Sequence, residues 1–248
     1  MLGFTTVTFR KLKFPEIAEI ARLSKSEAIE VGTDVHAKNT EETYKIAGIC
    51  REKNIKVSSL GSYFKVGKDN PEDFLWFCGL ARILGAETIR VWIGTKGSEY
   101  YTDSEREALK RDTLHIAETA KGYGLKIAFE FHKNSYSDNP DRLVKFIQDC
   151  NTDNIKTYWQ PFYQGREKDL YNLKTVFPYL ENVHMFYWSR IGYKYPLRRG
   201  GRYLKEFFDF LKENGFKGNI YLEFVKGDSV KRFYKDMEFL KEVTRNRE

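Results

Sequence analysis

Short apolar runs rich in β-branched and aromatic residues alternate along the chain with longer amphipathic stretches. The short runs predict eight strands: Leu2–Thr6, Ala28–Val31, Lys56–Leu60, Thr88–Ile93, Lys126–Glu130, Ile155–Trp159, Asn182–Phe186 and Asn219–Glu223. The amphipathic stretches predict eight helices: Pro15–Leu23, Glu41–Lys53, Pro71–Leu84, Ser104–Tyr123, Pro140–Cys150, Glu167–Phe177, Gly201–Asn214 and Ser229–Thr244. Asn70-Pro71 and Asn139-Pro140 read as helix starts, a capping amide followed by a residue that has no N–H to lose. Gly124 and Gly215 read as stops, where the chain leaves a helix through a left-handed residue. Strands alternating with helices at a repeat of about 30 residues predict parallel pairing through helical crossovers. No Gly-x-Gly-x-x-Gly follows the first strand, which disfavours an open dinucleotide-binding sheet. The expected fold is α/β, a single (β/α)8 TIM barrel spanning residues 1–248 as one domain.

Composition narrows the class. Of 248 residues, 41% are hydrophobic and 31% charged, a balance that favours a packed core over disorder. No apolar run approaches the roughly 18 residues a membrane span needs. Met1–Thr6 lacks the basic-then-apolar pattern of a secretory signal, so a soluble cytoplasmic protein with no membrane partner is expected. The three cysteines, Cys50, Cys78 and Cys150, are odd in number and show no Cys-x-x-Cys spacing. Buried packing is expected of them rather than a disulfide or a zinc site. The net charge of +7 suits an anionic partner. Its charges interleave, however, as in Arg106, Glu107, Lys110, Arg111 and Asp112. Solvated helix faces explain that pattern, and no nucleic-acid partner is expected.

In such a barrel the chemistry lies at the C-terminal strand ends. Glu130 and then His132 follow strand five, Gln160 ends strand six, His184 lies on strand seven and Glu223 ends strand eight. Strand two leads to Asp34 and His36. Two carboxylates, an imidazole and an amide oxygen from successive strands would suit one divalent ion per chain, Mn²⁺, Co²⁺, Mg²⁺ or Zn²⁺. Without a cation the two glutamates would repel, and burying each charge unpaired costs several kcal/mol, to order of magnitude. Other readings of these residues stay open. Glu130 and Glu223 could each pair with a buried Lys or Arg, and His184 could be a satisfied core histidine. Gln160 could be a hydrogen-bond bridge, and His36 and His132 ordinary loop residues. His115, in mid-helix, reads as structural. Phe64, Trp92, Trp159, Phe186 and Trp188 gather at the same end and would give a sugar ring a face to stack on, which makes a small-molecule sugar the expected partner.

Ala117–Ala120, Gly124 and the run Ile127-Ala128-Phe129-Glu130-Phe131-His132 resemble the xylose-isomerase-like TIM-barrel superfamily of sugar isomerases and epimerases. The resemblance extends over essentially the whole chain. It is strongest to a bacterial branch with Tyr158-Trp159-Gln160-Pro161, Asn182-Val183-His184-Met185-Phe186 and Leu222-Glu223-Phe224-Val225-Lys226-Gly227-Asp228-Ser229. It implies metal ligation by Glu130, Gln160, His184 and Glu223, with glutamine where ketose 3-epimerases of the superfamily have aspartate. It places Tyr163 where those enzymes have a substrate-contacting histidine, in Gln160-Pro161-Phe162-Tyr163. Arg190 matches their arginine six residues past the metal-binding histidine. His36, Trp92, His132, Tyr163, Trp188 and Arg190 are thus the expected substrate contacts, and Arg198 and Arg199 nearby could help hold a phosphate or carboxylate.

The implied reaction is isomerisation or epimerisation of a sugar or sugar-like polyol, phosphorylated or not. A proton moves next to the carbonyl through a metal-stabilised enediolate, with Glu130 and Glu223 as the catalytic pair. A polyol dehydratase on the same site is an alternative. So is a non-catalytic sugar-binding barrel with a degenerate metal site, for which Gln160 is the motive. Zinc endonucleases of this fold need many histidines. The chain has four, and none follows Ser58-Ser59-Leu60-Gly61. Since the superfamily often forms dimers or tetramers, a homo-oligomer is compatible with the resemblance.

Overall fold

The strands of the computed structural model, which describes residues 1–189 and 191–244, close on themselves. They are β1 (Leu2–Thr5), β2 (Ala28–Gly32), β3 (Val57–Val66), β4 (Thr88–Ile93), β5 (Lys126–Phe129), β6 (Ile155–Trp159), β7 (Leu180–Met185) and β8 (Asn219–Leu222). Each pairs in parallel with the next, and β8 returns to β1 through Phe4 opposite Leu222. The crossovers are α1 (Phe14–Leu23), α2 (Thr40–Glu52), α3 (Phe74–Leu84), α4 (Asp103–Gly122), α5 (Pro140–Cys150), α6 (Arg166–Val176), α7 (Gly201–Glu213) and α8 (Val230–Thr244). This is the (β/α)8 barrel that the alternation predicts.

Two departures have local causes. β3 runs past its predicted end at Leu60, because the strand bends and then resumes. Its register against β4 breaks between Gly61 and Lys65, where Tyr63 takes a left-handed φ of 56°. Pairing then continues through Lys65 with Trp92 and Val66 with Ile93. The helix predicted from Pro71 opens instead as a 3₁₀ turn, Pro71–Asp73, capped by the Asn70 side chain, and α3 proper begins at Phe74. The predicted stops hold. Leu125 N–H bonds back to Ala120 O and Phe216 N–H to Leu211 O, around Gly124 and Gly215 with φ of 69° and 66°.

Alternation along each strand creates two interiors. Ile29, Val31, Ile89, Val91 and Phe129 belong to the layer shared with the helices. Between them, Glu30, Arg90, Ala128, Tyr158, His184 and Tyr221 fill the barrel itself, all buried. This lumen is unusually polar and hydrogen-bonded. Tyr158 Oη donates to Glu30 at 2.8 Å and lies 2.5 Å from Ser59 Oγ, and Tyr221 Oη lies 2.7 Å from Ser58 Oγ. All three cysteines are free and buried. Burial pushes the Cys50 and Cys78 thiols up to about 12 and Cys150 up to about 11, so they are inert packing. Among the described residues, no helix is long and apolar enough to cross a membrane.

Candidate active site

The floor of the site is a charged cluster built on the middle of the barrel. Arg90 of β4 donates from Nε to Glu30 Oε1 at 3.1 Å and from Nη1 to Glu130 Oε2 just past β5. All three side chains are almost wholly buried. Burial alone would raise the Glu30 carboxyl, but the Arg90 guanidinium, His184 and the Tyr158 hydroxyl overcome it. They hold Glu30 well below the usual carboxylate range. His184 of β7 lies between two carboxylates, its Nε2 3.3 Å from Glu30 Oε1 and its Nδ1 3.5 Å from Glu223 Oε2. Both nitrogens are within ion-pair reach but off the line of a hydrogen bond, which leaves them buried and unpartnered. Burial would lower this imidazole, yet Glu223 and Glu30 raise it above its ordinary value. Burial pushes the Glu223 carboxyl up to about 7, against the opposing pull of His184.

Gly61 makes room for this cluster. A methyl group on its Cα would lie 2.7 Å from Arg90 Nη2 and 3.3 Å from Glu30 Oε1. Gly61→Ala should therefore displace the guanidinium and cost about 1–3 kcal/mol, as overpacking of a filled core does. Chemical denaturation of the two proteins measures this, and an unchanged midpoint would show that the cluster tolerates movement.

Above the floor opens a cavity of about 430 Å³, within the usual range for small-molecule sites. Glu130, Gln160 and Glu223 line it, as do Trp92, His132, Tyr163 and Trp188. Its walls are aromatic. Trp92 packs on His132 with ring centroids 4.3 Å apart, and Phe186 on Trp188 at 4.8 Å. Tyr163 faces the cavity, but its hydroxyl donates to the Phe186 carbonyl and its backbone is left-handed at φ 56°. Buried Asp169 holds that turn, accepting from the Phe162 and Tyr163 N–H groups at 3.2 and 2.9 Å.

The structure thus gathers Glu130, Gln160, His184 and Glu223 at one end of the barrel. Glu130 leans onto Arg90, and among the described residues no three carboxylate, imidazole or thiol groups close on one point. His36 is a correction. It does not line the cavity, because its ring nitrogens are engaged 3.0 Å from Thr6 Oγ1 and 3.1 Å from Leu12 O, which ties β1's loop to β2's. Arg198 and Arg199 also turn elsewhere, to Glu242 and to the Tyr195 ring. Arg190 lies outside the described residues.

Sequence reasoning missed Glu30, Arg90 and Tyr63. The first two had a signal, a lone charge inside Ala28-Ile29-Glu30-Val31 and inside Thr88-Ile89-Arg90-Val91. Tyr63 had none. Its ring lies 5.1 Å from the Arg90 guanidinium, and its hydroxyl accepts from Arg10 Nη2 at 2.9 Å.

A closed parallel barrel with buried carboxylates, an arginine and a histidine under an aromatic cavity at its C-terminal end defines the class as a TIM barrel built around a polar site. Within that class the chain belongs to the xylose isomerase-like TIM barrel family, whose model matches residues 17–243. No protein of curated function is detectably similar in sequence. Among solved structures, the probable 3-DHS dehydratase AsbF of Bacillus anthracis superposes with a TM-score of 0.84 at 17% identity, over 100% of this chain and 99% of that one. The 3-keto-D-glucoside 4-epimerase YcjR of E. coli gives 0.74 at 12%, over 97% and 98%. A xylose isomerase-like barrel of Mycobacterium smegmatis, in complex with magnesium, gives 0.72 at 14%, over 98% and 96%. At these identities the likeness is one of fold.

Proposed function

We propose that the chain is an isomerase or epimerase of a sugar or sugar-like polyol that moves a proton next to a carbonyl. The observation that carries this reading is the pair Glu130 and Glu223. They are two buried carboxylates from strands three apart, both lining one aromatic-walled cavity of sugar size. Epimerases and a dehydratase among the structural neighbours support it.

Charge supports a divalent ion in the same place. Glu30, Glu130 and Glu223 are three carboxylates against one fixed cation, Arg90. The shortfall is two positive charges. The carboxylates raise His184 and burial raises Glu223, so both groups favour a bound proton, and one divalent ion would relieve the same shortfall. His184 Nδ1, buried without a hydrogen-bond partner, is the donor such an ion would meet, together with Glu223, Gln160 and Glu130. The set therefore fits a divalent ion in donor chemistry and charge. Bound there, the ion would supply Lewis-acid polarisation of the substrate carbonyl.

The chain's own residues do the rest. The Trp92–His132 and Phe186–Trp188 pairs hold the sugar against an apolar wall and exclude water. Arg90 keeps Glu130 oriented at the edge of the cavity. One carboxylate takes the α-proton and the other returns a proton to the opposite face, giving the epimer. Return to the neighbouring carbon gives the isomer. The test is incubation with Mg²⁺ or Mn²⁺ in deuterated water against a panel of ketoses, aldoses and sugar acids. Deuterium at the α-carbon of a product that has lost no water is the expected result. Loss of water would mark a dehydratase. Binding without exchange across the panel would leave a sugar-binding barrel.

A further inference from the structure

We propose that the substrate carries a carboxylate, seated against Lys133, so that the cavity prefers sugar acids to neutral sugars. This rests on the proton-transfer reading above but concerns a different part of the cavity. Among the described residues, the positive charges that line the cavity can be assigned one by one. Arg90 is matched by Glu30 and Glu130. Arg10, at the rim, is matched by Asp34. The remaining carboxylate charge of the floor is what the ion or protons satisfy. Lys133 lines the cavity and has no carboxylate partner among the described residues. Its Nζ makes one hydrogen bond, to the Phe162 carbonyl at 2.9 Å, and lies 5.5 Å from the Phe162 ring centroid. That leaves an ammonium with unused donors beside an aromatic wall.

The Trp92 and Trp188 rings line the cavity, while their indole N–H groups are buried and do not reach its surface. Lys65 adds a second unmatched ammonium 5.1 Å from the Trp92 ring. The wall thus carries positive charge, and the group that complements it is an anion. A carboxylate is one with a single charge, matching the one lysine that lines the cavity. A phosphate would ask for more positive charge in the lining itself, where Lys133 is the one unmatched cation among the described residues, and Arg198 and Arg199 are bound to Glu242 and Tyr195 instead.

The test is titration of the Mg²⁺-supplemented protein with D-glucuronate, D-glucose and D-glucose 6-phosphate, followed by calorimetry or ligand-observed NMR. The acid should bind about two- to fivefold tighter than the neutral sugar, the range for a partly exposed ion pair. Lys133→Gln should erase that margin, and Lys133→Arg should keep most of it. Equal affinity for acid and neutral sugar, no binding of the acid, or a margin that survives Lys133→Gln overturns the proposal. Tightest binding of the phosphate overturns the carboxylate. Deuterium exchange on neutral ketoses, indifferent to Lys133→Gln, would sink this inference and leave the proton-transfer reading standing. Acid binding that needs Lys133 but brings no exchange would do the reverse.

Discussion

Arg90→Leu should be the most damaging single substitution in the barrel, lowering stability by about 3–5 kcal/mol, which is roughly 6–20 °C in melting temperature for a chain of this size. The reason is what remains. Glu30 and Glu130 are buried and both lean on the same guanidinium, so its removal leaves two carboxylates without their partner. Arg90→Lys keeps the charge but has no planar fork to reach both, and should fall between. The effect has a pH signature. In the native protein the Glu30 carboxyl is held below its ordinary value, so its contribution is full above the unfolded value of about 4.3 and fades only as pH falls through the depressed one. In Arg90→Leu, burial acts on Glu30 with only His184 and the Tyr158 hydroxyl against it, and ionised Glu30 becomes a liability as pH rises above that value. The gap between the two proteins should therefore be wide at pH 7.5 and narrow toward pH 4. Thermal melts across that range decide it. A gap of under about 0.5 kcal/mol, the size of an ordinary surface change, would mean that the ion pair contributes nothing net.

The same arginine shows where the sequence was transparent and where it was not. The strands with ordinary β-branched runs between clear turns, Thr88–Ile93 and Ile155–Trp159, are bounded in the structure as their patterns predict. β3 is not, because its pattern predicts an end at Leu60 while the chain only kinks after Gly61 and pairs again. Barrel sites lie at the strand ends, and Glu130, Gln160 and Glu223 do line the cavity. Glu30 and Arg90 sit one layer deeper. From sequence alone a charge in mid-strand has no visible partner. The pairing joins residues 60 positions apart and depends on the closed barrel placing β2, β4 and β5 around one lumen. The mutual repulsion expected of Glu130 and Glu223 calls for a cation. For Glu130 one of the answers is a guanidinium. His36 shows the opposite error. A histidine after a strand reads as functional, but two hydrogen-bond partners in the loop after β1, Thr6 Oγ1 and Leu12 O, give it a structural task.

Glu130→Gln and Glu223→Gln should each reduce the proposed proton transfer by about 10²–10⁴-fold, the usual contribution of a positioned acid or base. Glutamine preserves shape and hydrogen bonding, so neither protein should unfold. Their stabilities should nonetheless differ. Glu130→Gln gives Arg90 a neutral partner in place of an anion and should weaken the fold modestly. Glu223→Gln removes a carboxyl that burial pushes up to about 7. A raised value means the native state is favoured while that group stays protonated, and the advantage is lost as pH climbs from the unfolded value of about 4.3 through 7. Chelator-treated Glu223→Gln should accordingly match the parent near pH 4 and exceed it at pH 8. The kinetic signatures separate two roles that a simple loss of activity would merge. If the carboxylates serve opposite faces, each epimer depends on its own base for α-proton exchange. Glu130→Gln should then suppress exchange in one epimer more than in the other, and Glu223→Gln should reverse the preference. Equal suppression of both epimers by both variants would assign the proton to a single group and leave the second carboxylate with binding alone. In that case the product is an isomer, because one base on one face can move a proton along the chain but cannot invert the carbon it came from.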